Sequence, residues 1–177
     1  FVHIAEEYDL VGLLTDSVMQ QVITQMQTWS DRSLQLPVSI NLSPVQLTDI
    51  ELPNVMAGRM NDAGLDPSLM ILEITEQTVS PNSAVAVDIL TRMRLKGFGI
   101  SLDDFGSGYS SIAEIYRLPL SEVKIDRSIT RAAEDDMDAR KVMKAIVDLA
   151  HSFDLKVCAE GVETERGVQF LRSINCD

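Results

Sequence analysis

The chain has 177 residues, 45% of them hydrophobic and 24% charged, with a net charge of −12, the make-up of a globular domain able to bury a core. That charge excludes a general nucleic-acid surface, which needs a basic patch. The sequence also lacks any apolar run near the roughly 18 residues of a membrane span, and it opens on no signal-peptide pattern.

In chain order, the first predicted element is a helix starting near Thr15 or Asp16, either of which can cap it. Val18, Val22, Met26 and Trp29 fall on one face, widened by Met19 and Ile23. After Pro37 comes a strand at 38–42, and a helix following Pro53 stops at Gly64, which fits the C′ position. A strand at Met70–Thr75 and a helix at 85–95 lead to Lys96-Gly97 and a third strand at 98–103. A polar loop, Gly106-Ser107-Gly108-Tyr109-Ser110-Ser111, separates it from a fourth strand at 123–126. The charged stretch 134–141 leads into a helix with Met143, Ile146, Val147, Ala150 and Phe153 on its apolar face. A fifth strand at 157–160 and a helix at Glu165–Ser173 close the chain. Strands alternating with helices predict an α/β domain with a parallel sheet, a single domain without repeats or linkers.

Five such units fit either a doubly wound sheet or part of a barrel. Side chains alternate across a strand, so one face carries Val38, Ile40, Leu42, Leu72, Ile74, Ile100, Leu102, Val123, Ile125, Val157 and Ala159 and should pack under the helices. The other carries Ser39, Asn41, Glu73, Thr75, Ser101, Asp103, Lys124, Asp126, Cys158 and Glu160. Strands with both faces under helices should be almost wholly apolar. Polar groups aimed the same way near five strand ends match the mouth of a (β/α) barrel, where active sites lie.

Asn41, Glu73, Asp103, Asp104 and Glu160 offer amide and carboxylate oxygens there. Packed acids cannot all ionise without a cation, and this donor set suits Mg²⁺ or Mn²⁺, with Ca²⁺ as a competitor. A divalent cation would also reverse the field that otherwise repels a phosphate substrate. Two histidines, His3 and His151, are too few for an imidazole-built site. Cys158 and Cys176 lack CxxC spacing, so a reduced cytosolic setting is expected, with Cys158 as a small buried residue. Two ions bridged by adjacent aspartates are the usual apparatus for in-line displacement at phosphorus. Lys124 could then hold a phosphate oxygen or the attacking water. Singly, each residue also has a plain reading: the acids as caps, Lys124 as a partner of Glu122 or Asp126, Asn41-Leu42-Ser43-Pro44 as a helix start, and the two histidines as incidental. The glycines at 106 and 108 lack P-loop context. Lys124 as a Schiff-base lysine would need an apolar pocket rather than acids around it.

The segments Asn41-Leu42-Ser43, Leu72-Glu73-Ile74-Thr75-Glu76, Asp103-Asp104-Phe105-Gly106-Ser107-Gly108-Tyr109-Ser110-Ser111, Lys124-Ile125-Asp126-Arg127 and Ala159-Glu160-Gly161-Val162-Glu163-Thr164 resemble the EAL phosphodiesterase family. The resemblance runs from Phe1 to Asp177. It implies a TIM-like (β/α) barrel and hydrolysis of cyclic di-GMP to linear pGpG with two Mg²⁺ or Mn²⁺ ions, Ca²⁺ being inhibitory. By position it makes Asn41, Glu73 and Asp103 ligands of the first ion, and Asp103, Asp104 and Glu160 ligands of the second. Glu160 is then also the general base, and Lys124 contacts the catalytic water. Glu76 would anchor a regulatory loop of Phe105, Gly106, Ser107 and Gly108, linked in the family to a dimer interface, and Asp126 and Glu163 would contact substrate.

The family's Glu-Ala-Leu strand and its last strand are expected before Phe1 and after Asp177, so the piece alone should lack one metal ligand and be inactive. The parent is expected to be a homodimer with an N-terminal sensor, receiver or cyclase domain. Its EAL domain should be cytoplasmic whether or not the parent is membrane-anchored. The competing reading is an inactive domain that serves as a cyclic di-GMP receptor or regulatory interaction module.

Overall fold

Strands that are apolar on one side and polar on the other need helices on the apolar side, and the computed structural model shows which residues supply them. It describes residues 4–5, 8, 10–75, 84–106 and 116–177. The chain divides into two compact units, Phe1–Ile100 and Ser101–Asp177.

In the first unit, helix α1 (Val11–Ser30) precedes strand β1 (Val38–Asn41), and a 3₁₀ turn (Pro44–Thr48) leads to α2 (Leu52–Asp62). A second 3₁₀ turn (Pro67–Leu69), β2 (Met70–Thr75) and α3 (Ala84–Leu95) follow. β1 and β2 pair in parallel from Val38 opposite Met70 to Asn41 opposite Glu73. Ser43 and Gln46 form a capping box on the first 3₁₀ turn, so this serine does start a helical turn. The buried face of α1 is Val11, Met19, Ile23 and Met26, while Val18, expected inside, is exposed.

Strand β3 (Gly99–Phe105) begins in the first unit and continues in the second, followed there by β4 (Glu122–Ile125), α4 (Arg127–Asp135), α5 (Met137–Ser152), β5 (Lys156–Ala159) and α6 (Glu165–Ser173). β4 lies between β3 and β5, parallel to both. Ile40, Leu72, Ile74, Ile100, Leu102, Val123, Ile125 and Val157 are all buried, so the apolar face is where alternation places it. Each such side chain contributes about 1.5–3 kcal/mol by leaving water.

Three helix starts in the second unit are capped by side chains the local sequence supplies. Asp126 accepts from the Ser128 amide, Asp136 from the Asp138 amide, and Thr164 from the Gly167 amide. Arg140 donates to the carbonyls of Ala133 and Glu134 at the end of α4 and stacks 4.9 Å over the Phe170 ring, tying α4, α5 and α6 together. Cys158, expected inside, is exposed, and His151 takes part in a pair far apart in sequence. Its Nε2 lies 3.0 Å from Asp177 Oδ2, the oxygen that also accepts from the Val157 amide. Among the described residues no helix is long and apolar enough to cross a membrane.

Candidate metal centre

Asp103 and Asp104 are consecutive, and in a regular strand consecutive side chains point to opposite faces. β3 is not regular there. Ser101 pairs with Glu122 and Leu102 with Val123, but pairing resumes at Phe105 opposite Ile125, so three steps along β3 match two along β4. The extra residue makes a β-bulge. Asp104 adopts a φ of +56°, a left-handed conformation that aspartate tolerates better than most residues. The Asp126 amide donates to the Phe105 carbonyl at 3.1 Å and closes the bulge. With the strand re-aimed, Asp103, Asp104 and Glu160 each offer an oxygen within 4.8 Å of the other two.

Glu160 stands one residue beyond β5, where its amide extends the ladder by donating to the Ile125 carbonyl at 3.1 Å. Lys124, on β4, reaches between the two flanking elements. Its Nζ lies 3.0 Å from Asp103 Oδ1 and 2.5 Å from Glu160 Oε1. The Lys124 side chain is 14% exposed, that of Asp103 17% and that of Glu160 32%. Glu122, two residues before the lysine, accepts instead from the fully buried Ser101 hydroxyl at 2.8 Å.

Removal from water raises the Asp104 pKa above the ordinary aspartate value of 3.8, and the charges of Asp103, Asp126 and Glu160 raise it further against a smaller opposing effect of Lys124. Its protonated form therefore favours the fold below pH 3.8, and that contribution is lost as pH rises through the higher folded value. At neutral pH the ionised carboxylate weighs against the metal-free fold. Asp104→Asn, which keeps the left-handed backbone, should raise the thermal midpoint in EDTA at pH 7, with the gain shrinking toward pH 4. A gain independent of pH would show that the repulsion is not its source.

Three carboxylates that converge in this way, one of them the exposed Asp104 with its proton affinity raised by partial loss of water and by its acidic neighbours, fit a hard divalent cation. In the first unit the register sets Asn41 directly beside Glu73. Asn41 is exposed and Glu73 is 9% exposed, and the Leu42 amide donates to the Glu73 carbonyl at 2.8 Å.

The remaining expected residues are placed as follows. Asp126 caps α4; bonds from the Ser128 hydroxyl and then its amide hold the carboxyl below the usual range. Glu163 is exposed and ion-paired with Arg131. Phe105 is buried and Gly106 turns the chain at a φ of +92°. Glu76, Ser107 and Gly108 lie outside the described residues. The bulge and the double pairing of Lys124 are what the sequence reading missed. The Asp103-Asp104 doublet at a strand end, followed by Gly106, was the one local signal for the former.

Comparison with known proteins fits this geometry. A family model described as EAL domain matches residues 1–177. The chain is 36% identical over 178 residues to the bifunctional diguanylate cyclase/cyclic di-GMP phosphodiesterase MucR of Pseudomonas aeruginosa, covering 100% of this chain and 26% of that protein. It is 31% identical over 176 residues to a cyclic di-GMP phosphodiesterase of the same organism, PA2567, covering 99% of the chain and 30% of the relative. The chain thus spans about a quarter to a third of the length of these two relatives. The solved structure described as the PaMucR phosphodiesterase in complex with c-di-GMP superposes with a TM-score of 0.90 at 36% identity, over 100% of this chain and 72% of the other. The fold is that of these domains, an α/β barrel of the TIM type, of which the described residues carry five strands. The chain belongs to the EAL domain family.

Proposed function

We propose that this domain is a metal-dependent phosphodiesterase that hydrolyses cyclic di-GMP to linear pGpG in bacterial second-messenger signalling. The observation that carries the reading is the convergence of Asp103, Asp104 and Glu160 around Lys124, in a chain similar to proteins named as cyclic di-GMP phosphodiesterases.

In this reading Asn41, Glu73 and Asp103 would hold a first ion, and Asp103, Asp104 and Glu160 would hold a second, Mg²⁺ or Mn²⁺ in each case. When bound, such ions lower the pKa of water and offset charge on phosphoryl oxygens. Water attacks the phosphorus, the P–O bond to one ribose oxygen breaks, and that oxygen leaves as a hydroxyl with a proton drawn from solvent, opening the ring to a linear dinucleotide. Glu160 takes the proton from the water. Lys124 orients that water or donates to a phosphate oxygen. Of the two proposed substrate contacts, Glu163 can re-pair readily because its ion pair is at the surface. Asp126 has one oxygen committed to its helix cap, which leaves the other for substrate. We extend the proposal to a regulatory loop of Phe105, Gly106, Ser107 and Gly108 anchored by Glu76, a homodimer, partner signalling domains in the same protein and a cytoplasmic location.

The test is hydrolysis of cyclic di-GMP by the full-length protein that carries this chain. With Mg²⁺ or Mn²⁺ the product should be pGpG, and excess EDTA should stop its formation. Tight nucleotide binding without turnover under any metal would reject catalysis and make the domain a receptor.

A further inference from the structure

We propose that the Lys124 ammonium is a built-in counter-ion of the acidic cluster, and that a divalent cation binds only as this ammonium leaves Asp103 and Glu160. The inference rests on the metal-site part of the reading above and concerns what the chain does before any metal arrives.

Three acids converge within 4.8 Å, a disposition that like-charge repulsion opposes unless a cation stands among them. The structure supplies one from within. β4 lies between β3 and β5, so a lysine near its end reaches a carboxylate on either side. Lys124 Nζ does so at 3.0 Å from Asp103 and 2.5 Å from Glu160, with a side chain 14% exposed. The oxygens it holds are two of the three that converge.

Mg²⁺ takes oxygen ligands at about 2.0–2.1 Å. An ammonium still bonded to those oxygens would sit a few ångströms from it, and their repulsion would act in a part-buried setting where screening is weak. The two cations therefore compete. Lysine is suited to yielding, because its charge rides on a flexible four-carbon stem. The lysine thus holds the acids together at a cost in metal affinity. Once released beside neutralised carboxylates, the ammonium is free to turn to a phosphate oxygen, which orders the events as metal first and substrate second.

The experiment is a titration with Mn²⁺ alone, without nucleotide, reading free Mn²⁺ by its electron paramagnetic resonance signal. It uses the full-length protein, with Lys124→Gln and Lys124→Met as uncharged variants and Lys124→Arg as the charge-keeping one. Both uncharged variants should bind Mn²⁺ about tenfold more tightly or better, while Lys124→Arg stays near wild type. Wild-type or weaker affinity in both uncharged variants overturns the coupling and leaves the phosphodiesterase reading standing. Absence of Mn²⁺ binding in every form overturns both. A second measurement needs no variant to fold. In the wild-type protein Mg²⁺ should increase acetylation of Lys124 relative to Lys141 and Lys144, whose side chains are 76% and 55% exposed. Unchanged or reduced labelling of Lys124 overturns the proposal.

Discussion

Glu160→Gln is expected to lower turnover of cyclic di-GMP by about 10²–10⁴-fold, the range a positioned general base contributes, while nucleotide binding at saturating Mn²⁺ stays within a few-fold of wild type. The substitution keeps the size of the side chain and an oxygen to face Lys124, but removes the charge and the proton-accepting basicity. Glu160 sits just past the end of β5, with its amide in the ladder to the Ile125 carbonyl, so its backbone position does not depend on the carboxylate. Its side chain is 32% exposed, so the fold should tolerate the change. Lys124 keeps its bond to Asp103 at 3.0 Å.

The informative result is therefore a split between turnover and binding at an unchanged thermal midpoint. Turnover within tenfold of wild type would remove Glu160 from the role of base. Because Glu160 is also a proposed metal ligand, the assay should be repeated at rising Mn²⁺. A deficit that vanishes with excess metal would mean the glutamate acts as a ligand alone.

Most of this arrangement could be read from the sequence because a strand translates spacing into direction. Polar residues two apart, such as Ser101 and Asp103 or Cys158 and Glu160, had to share a face, and the acids at the strand ends had to fall near one rim. The same rule fails at Asp103-Asp104, where regular alternation would separate the two carboxylates. The bulge that reunites them depends on a left-handed φ at Asp104 and on pairing with β4, neither of which composition reveals. Alternation sets Lys124 on the face of the acids, but its choice of Asp103 and Glu160 over Glu122 is a matter of distance across strands.

Local signals were weakest where helices lack them. α1 begins at Val11, with Leu10 at the cap position making no side-chain bond, so a search for a capping residue stops instead at Thr15. That threonine donates to Gln46, and Asp16 pairs with Arg59 at 2.8 Å. α4 escaped notice because only Thr130 and Ala133 are buried along it, too thin a stripe to register as a period. Its start is nevertheless written in the sequence, since Asp126 followed by Ser128 is an ordinary cap. The bond between His151 and Asp177 spans 26 residues and has no local signature at all.

Gly161→Ala should be the most damaging single-methyl change next to the site, lowering stability by about 2–4 kcal/mol. Gly161 has a φ of +70°, where an L side chain costs about 1–2 kcal/mol. A Cβ there would also lie 2.7 Å from Arg127 Cβ and 3.4 Å from Arg127 Cα, atoms fixed by the first turn of α4 that cannot swing aside. Gly106→Ala is the control. Its φ is +92° and its nearest obstacle is Ile129 Cδ1, with the next atom of that side chain at 3.6 Å. The far end of an isoleucine can rotate away, so this change should cost little beyond the backbone strain. The expected order in thermal midpoint, measured in EDTA, is wild type, then Gly106→Ala, then Gly161→Ala. Turnover should separate them further. Relief of the Arg127 overlap must move residue 161, and Glu160 is joined to it, so the carboxylate shifts against Lys124 and Asp103; a displacement near 1 Å can cost about 10²-fold. If Gly106→Ala proved the less stable of the two, the close approach of Arg127 would not be what fixes Glu160 in place.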